Sequence, residues 1–190
     1  NMMMKVWMFF FLLMLSFSCR ENNSKSISAP SDLKVLNYDT SLRKIESNWF
    51  YKGRPFTGFM IQQERDGRQV YSLPIKNGKE NGVATGIYSS GEKLVENAFM
   101  DGKREGVFRQ WWPNGNYRYL FNYENDKMHG NQWVFFPSGK KREVGSYVHG
   151  EKQGLQRVWN EEGKLVSNYV LKNNRRYGVI AVKSCIPVEH

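Results

Sequence analysis

The chain is poor in the residues that most catalytic and metal sites require. Its 190 residues include two cysteines, Cys19 and Cys185, and three histidines, His129, His149 and His190. No Cys-x-x-Cys pair occurs, and the histidines lack metal-ligand spacing with one another or with cysteine. No Ser-His-Asp order and no phosphate-cradling glycine loop is present. Glu161 and Glu162 are adjacent carboxylates, but neighbours on a strand or turn point apart and do not converge on one substrate. The sequence therefore predicts no enzyme, no cofactor and no metal. Long hydrophobic runs are also scarce. The longest spans only the twelve residues Val6–Phe17, too short to cross a bilayer comfortably.

What the chain has in abundance is periodic glycine. Gly58, Gly82, Gly106, Gly130, Gly154 and Gly178 are spaced 24 residues apart. Gly67, Gly91, Gly115, Gly139 and Gly163 keep the same interval. A third series, Gly78, Gly102, Asp126, Gly150 and Asn174, holds it with two residue types that also tolerate left-handed turn geometry. All three series read as repeat turns. Between them lie short runs such as "VFRQWW" (Val107 to Trp112) and "YRYLFNY" (Tyr117 to Tyr123), rich in aromatic and β-branched residues and long enough for one strand each. "PNGN" and "PSGK" suit type I turns, with proline setting φ and glycine accepting φ > 0 near the end. Each repeat is thus predicted to be a β-hairpin, and the whole an elongated antiparallel meander.

Apolar positions keep the same period. Ile75, Phe99, Tyr123, Tyr147 and Leu171 form one ladder, and Ile87, Trp111, Phe135 and Trp159 another. Both are expected on a core side. Trp112 and Phe136 are expected on the opposite face, and the position degrades to Asn160 one repeat later. With Lys140, Lys141 and Arg142 nearby they make the candidate contact patch, suited to a protein partner or anionic lipid headgroups.

The frame "YENDKMHGNQWVFFPSGKKREVGSYVHGEKQG" resembles tandem MORN-type repeats, and more closely the bacterial variant in YwqK-type, antitoxin-like proteins. The resemblance covers about residues 49–178. It implies an all-β array of tandem 24-residue MORN-type hairpins with a binding or scaffolding role, and no catalytic residues. It also implies an alternative function, neutralisation of a cognate toxin by direct binding. The first unit departs from the pattern, with Gln63 and Glu64 where later units carry aromatics.

The expected organisation is a signal peptide over 1–18, a flexible tether over 19–32, an N-terminal cap over 33–57, five repeats over 58–177, and a closing strand and tail over 178–190. Lys5 precedes the apolar run and Ser18-Cys19 follows it, an arrangement that resembles a bacterial lipobox, with Ser16 where an aliphatic residue is usual. Cys19 is the expected lipidation site, which implies a membrane-anchored lipoprotein of the cell envelope. Cys185 is expected as a small apolar residue of the closing strand, with a reactive or metal-touching thiol near His190 as the alternative. The net charge of +10 is spread along the chain, and pairs such as Lys79-Glu80 cancel locally. That distribution argues against a nucleic-acid partner.

Overall fold

The computed structural model describes residues 32–178. The signal segment, Cys19, nearly all of the tether, Cys185, His190 and all but the first residue of the closing segment lie outside the described residues.

The fold is all-β. Four short strands open it: β1 (Lys34–Leu36), β2 (Leu42–Ile45), β3 (Asn48–Tyr51) and β4 (Arg54–Pro55). Then come β5 (Gly58–Gln63), β6 (Gln69–Lys76), β7 (Lys79–Glu80), β8 (Gly82–Ile87), β9 (Lys93–Met100), β10 (Lys103–Arg104) and β11 (Gly106–Trp111). The array continues through β12 (Tyr117–Glu124), β13 (Lys127–Met128), β14 (Gly130–Phe135), β15 (Lys141–Val148), β16 (Glu151–Trp159), β17 (Leu165–Lys172) and β18 (Arg175–Tyr177). The main sheet runs in the order β1-β5-β6-β8-β9-β11-β12-β14-β15-β16-β17-β18. At roughly 4.8 Å per strand this path is about 50 Å long. Every pairing along it is antiparallel except β1 with β5. A parallel pair needs a crossover, and the separate sheet β2-β3-β4 supplies it.

Two turn types alternate. At one end of each repeat is a type I turn with glycine last. In the third unit Gly115 N–H donates to the Trp112 carbonyl and Trp112 N–H to the Asn116 carbonyl. The same two bonds recur at Glu64–Arg68, Tyr88–Glu92, Phe136–Lys140 and Asn160–Lys164. Gly67, Gly91, Gly115, Gly139 and Gly163 all have φ between 82° and 102°. The register slips by a residue just before each turn, as at Gln110/Trp111 and Val134/Phe135. The turn at the other end has two central residues with positive φ: Asn77-Gly78, Asp101-Gly102, Asn125-Asp126, His149-Gly150 and Asn173-Asn174. That geometry matches the twist of the flanking strands, and Asn, Asp and Gly tolerate it best. A β-carbon on Gly115 would meet nothing within 4 Å, so Gly115→Val tests the backbone alone. It should cost about 1–2 kcal/mol in urea unfolding. An unchanged midpoint would show that φ near +83° carries no penalty there.

The Gly58 series does not occupy hairpin turns, contrary to the sequence reading. Gly82, Gly106 and Gly130 open β8, β11 and β14, and Gly154 lies inside β16. The register explains the difference. Ile75 faces Glu80, yet Tyr71 faces Gly86, so four residues along β6 oppose six on the partner strand. The extra residues form a bulge around Asn81 and Gly82, and a glycine with φ > 0 permits the bend. In the later units an amide side chain bridges the opened ladder. Gln132 is 4% exposed; its Oε1 accepts from Asn122 N–H at 2.7 Å and its Nε2 donates to the Asn122 and His129 carbonyls at 3.1 and 3.0 Å. Gln156, one period on, donates to the Ser146 carbonyl at 3.0 Å.

Burial is uneven along the array. The core cluster is Val35, Leu42, Phe56, Leu73, Ile75 and Ala84, where the cap folds onto the first repeat. Further along, Trp111 and Tyr123 are buried, but Ile87, Phe99, Phe135, Tyr147, Trp159 and Leu171 are only half-buried. Among the described residues no second layer stacks over these rings, and the ladders stabilise the sheet by ring-to-ring contact along it. Trp111 packs on Tyr117 with centroids 5.5 Å apart, and Tyr119 stacks on Phe121 at 5.0 Å.

Candidate functional site

The patch expected at Trp112 and Phe136 is built differently from the expectation. Both residues are half-buried and lie just past the ends of β11 and β14, in the first position of their turns. Trp111 packs on Tyr117, while Trp112 lies beneath the Arg118 guanidinium at 4.4 Å. Tyr117 and Arg118 are successive strand residues, so the two tryptophans do diverge to opposite faces. Trp112 is not a free contact surface, however. Its indole N–H donates to the Phe135 carbonyl of the next repeat at 3.2 Å. Tyr88, one period earlier, makes the same kind of bond to the Trp111 carbonyl at 2.7 Å. This position is a staple between repeats, and Phe136, without a donor, keeps only its packing.

The cations of the patch are exposed, and each is engaged within the chain. Arg142 covers the Phe136 ring at 5.9 Å, the repeat equivalent of Arg118 over Trp112. Lys141 lies over Trp133 at 4.7 Å. Lys140 donates to the Glu161 carbonyl at 2.9 Å, as Asn116 does to the Pro137 carbonyl at 2.8 Å one period earlier. Arg68 closes the corresponding link to the Ser89 carbonyl. Similar cation–ring contacts run along the array at Lys93 on Trp111, Arg104 on Tyr123, Lys152 on Tyr147 and Arg176 on Tyr169. The sheet thus carries rings capped by charge, an arrangement in which the aromatic buries its face and the cation remains in water.

At the junction of cap and array, Glu80 is 6% exposed and accepts from Lys44 Nζ and Trp49 Nε1, both at 2.8 Å. Burial alone would raise its carboxyl pKa. The hydrogen bonds from Lys44 and Trp49 outweigh burial and hold it below the ordinary value. Burial, with the Glu80 charge adding to it, pushes the neighbouring Tyr71 phenol up.

A second cluster was invisible to sequence spacing. His129 and His149, 20 residues apart, meet with ring centroids at 5.3 Å. Glu124 Oε2 lies 3.2 Å from His129 Nδ1 and 3.9 Å from His149 Nδ1. The sequence reading found no metal-ligand spacing between these histidines, yet the fold brings their rings into contact. The repeat frame brings them together, because His129 sits in a bulge slot and His149 in the turn slot of the next hairpin. The same slots hold Asn81 beside Asp101 and Glu105 beside Asn125. Reading the 24-residue frame across slots, instead of counting residues between ligands, was the signal that could have found the pair.

The chain matches no protein-family model and no curated protein.

Proposed function

We infer that the chain is a non-enzymatic, membrane-anchored repeat protein that acts as a binding or scaffolding module at the bacterial cell envelope. Its sheet is offered to a protein partner or to an anionic lipid surface. The observation that carries this reading is the repeated pairing of half-buried rings with solvent-facing cations on both faces of the sheet, above all Lys141 on Trp133 on one face and Arg142 on Phe136 on the other. Such a surface is stiff, amphipathic and positively charged, which suits anionic groups on a broad partner more than a small molecule in a cleft. The single-layer architecture supports the same reading, since both faces of most strands remain partly open to solvent. Anchoring through Cys19 would hold the array at a membrane whatever it binds. Among the described residues no helix is long and apolar enough to cross a membrane.

The test has two arms. In cells, Cys19→Ser should move the protein from the membrane to the soluble fraction and abolish fatty-acid labelling. A wild-type chain that takes up no label would overturn the anchor. In vitro, the Cys19→Ser chain is floated with vesicles of zwitterionic lipid with and without phosphatidylserine. Lys141 and Arg142 are successive strand residues on opposite faces, so Lys141→Glu and Arg142→Glu are floated separately. Reversing the cation on the bound face should weaken binding to the anionic vesicles at least about tenfold, since each cation near such a surface contributes ~1 kcal/mol. Equal flotation of the parent and both variants would remove these two cations from the lipid reading.

A further inference from the structure

We propose that Glu124, His129 and His149 form a binding site for a divalent transition-metal ion of the zinc class, clamping the third hairpin to the fourth. This site is independent of the ring-and-cation pairs discussed above.

Three observations converge on it. The first is geometric. One ligand atom from each residue lies within 4.8 Å of the other two, and the two carboxylate–imidazole distances are 3.2 and 3.9 Å. Ligands about 2.1 Å from a tetrahedral zinc ion are about 3.4 Å apart, so small rotations of these side chains close the set. All three side chains are open to solvent, at 47%, 44% and 69%, which gives an ion and its remaining waters access.

The second observation is an orphaned ligand atom. His129 Nδ1 is buried yet makes no hydrogen bond, although it faces the Glu124 carboxylate. A buried ring nitrogen without a partner is costly. An ion between it and the carboxylate would satisfy both.

The third comes from the repeats themselves, which serve as internal controls. The slot of His129 and that of His149 are in contact in each earlier unit, where a hydrogen bond closes them. Asn77 N–H donates to Thr57 Oγ1 at 2.9 Å, Asn81 Nδ2 to Asp101 Oδ1 at 3.3 Å, and Asn125 N–H to Glu105 Oε2 at 2.9 Å. Only in this unit do both slots carry imidazole. His149 even takes the left-handed turn position, φ 49°, that Asn77, Asp101, Asn125 and Asn173 fill elsewhere. The third ligand is also specific to this unit. The positions equivalent to Glu124 are Lys76, Met100, Val148 and Lys172, none of them acidic. Two imidazoles and one carboxylate, with open positions left for water, suit zinc, nickel or copper and are poor for magnesium or calcium.

The experiment titrates the full 190-residue chain, in detergent, with Zn²⁺ in competition with a chromophoric chelator. His149→Asn and His129→Asn are the informative variants, because each installs a residue that another repeat already uses in that slot. Both should keep the parent's melting curve in the absence of metal and bind Zn²⁺ at least about tenfold more weakly. Zn²⁺ should raise the melting temperature of the parent more than that of either variant. Cu²⁺ added to the parent should show hyperfine coupling to two nitrogens, reduced to one in each variant. Equal affinity in parent and variants would place the binding elsewhere in the chain, with Cys185 and His190 the first suspects, and would overturn the proposal. So would binding weaker than about millimolar in the parent, which would leave the histidine contact as packing only.

Discussion

Phe56→Ala should lower the unfolding free energy by about 3–5 kcal/mol, the range for deleting a fully buried phenyl ring. Phe56 is the largest fully buried side chain among the described residues, at 2% exposure. Its ring packs on Tyr51 with centroids 5.7 Å apart, within the cluster that joins the cap to the first repeat. Its backbone contributes as well: Phe56 N–H donates to the Trp49 carbonyl, and Gly78 N–H donates to the Phe56 carbonyl. The ring is therefore held at a point where cap and array meet. Urea unfolding followed by tryptophan fluorescence measures the loss, and hydrogen exchange locates it. Amides of β1, β5 and β6 should lose protection first, with β14 to β17 least affected, because stability in a repeat array is mostly nearest-neighbour. A loss below about 1 kcal/mol would show that the cap does not close the core.

Glu80→Leu should cost about 2–3 kcal/mol at neutral pH. It removes the acceptor shared by Trp49 Nε1 and Lys44 Nζ. Lys44 is 44% exposed and can regain water, so the expected loss lies at or below the lower end of the range for breaking a fully buried pair. The pH dependence has a definite sign. The folded carboxyl pKa is depressed, so its stabilisation is complete above the ordinary value of 4.5 and is lost as pH falls through the folded value. The wild-type chain should therefore lose stability on acidification below about pH 4.5. Glu80→Gln, which cannot titrate but can still accept from Trp49, should flatten that part of the curve. Parallel acid limbs for the two proteins would assign the acid loss to other carboxylates.

Much of the architecture could be read directly from the sequence. The Gly67 series sits at turns because a type I turn that closes a hairpin needs a final residue with φ > 0, and glycine adopts it without strain. The substitutions of Asp126 and Asn174 into the Gly78 series were also legible, since those positions have φ of 66° and 58°. The aromatic-rich run Tyr117–Tyr123 predicted β12, because such residues fit a pleated, half-buried surface. The bulges were not legible. A glycine that bends a strand and a glycine that ends one look alike in a one-dimensional frame. Only the ladder register, with Ile75 opposite Glu80 but Tyr71 opposite Gly86, separates them.

The sequence by itself determined that this chain is an all-β meander of 24-residue hairpins, because turn chemistry and strand composition are local and each repeat restates them. The tertiary structure alone decided what each repeated position does. The indole of Trp112 became a staple because the Phe135 carbonyl of the next hairpin lies within reach. The deepest burial among the described residues fell at Phe56 and Ala84 because the cap folds onto the first repeat there. His129 and His149 met because stacking hairpins converts a separation of 20 residues into a contact. Local rules fix the repeat, whereas contacts between repeats depend on the register in which they stack, and that register is set by bulges and turns acting together across strands.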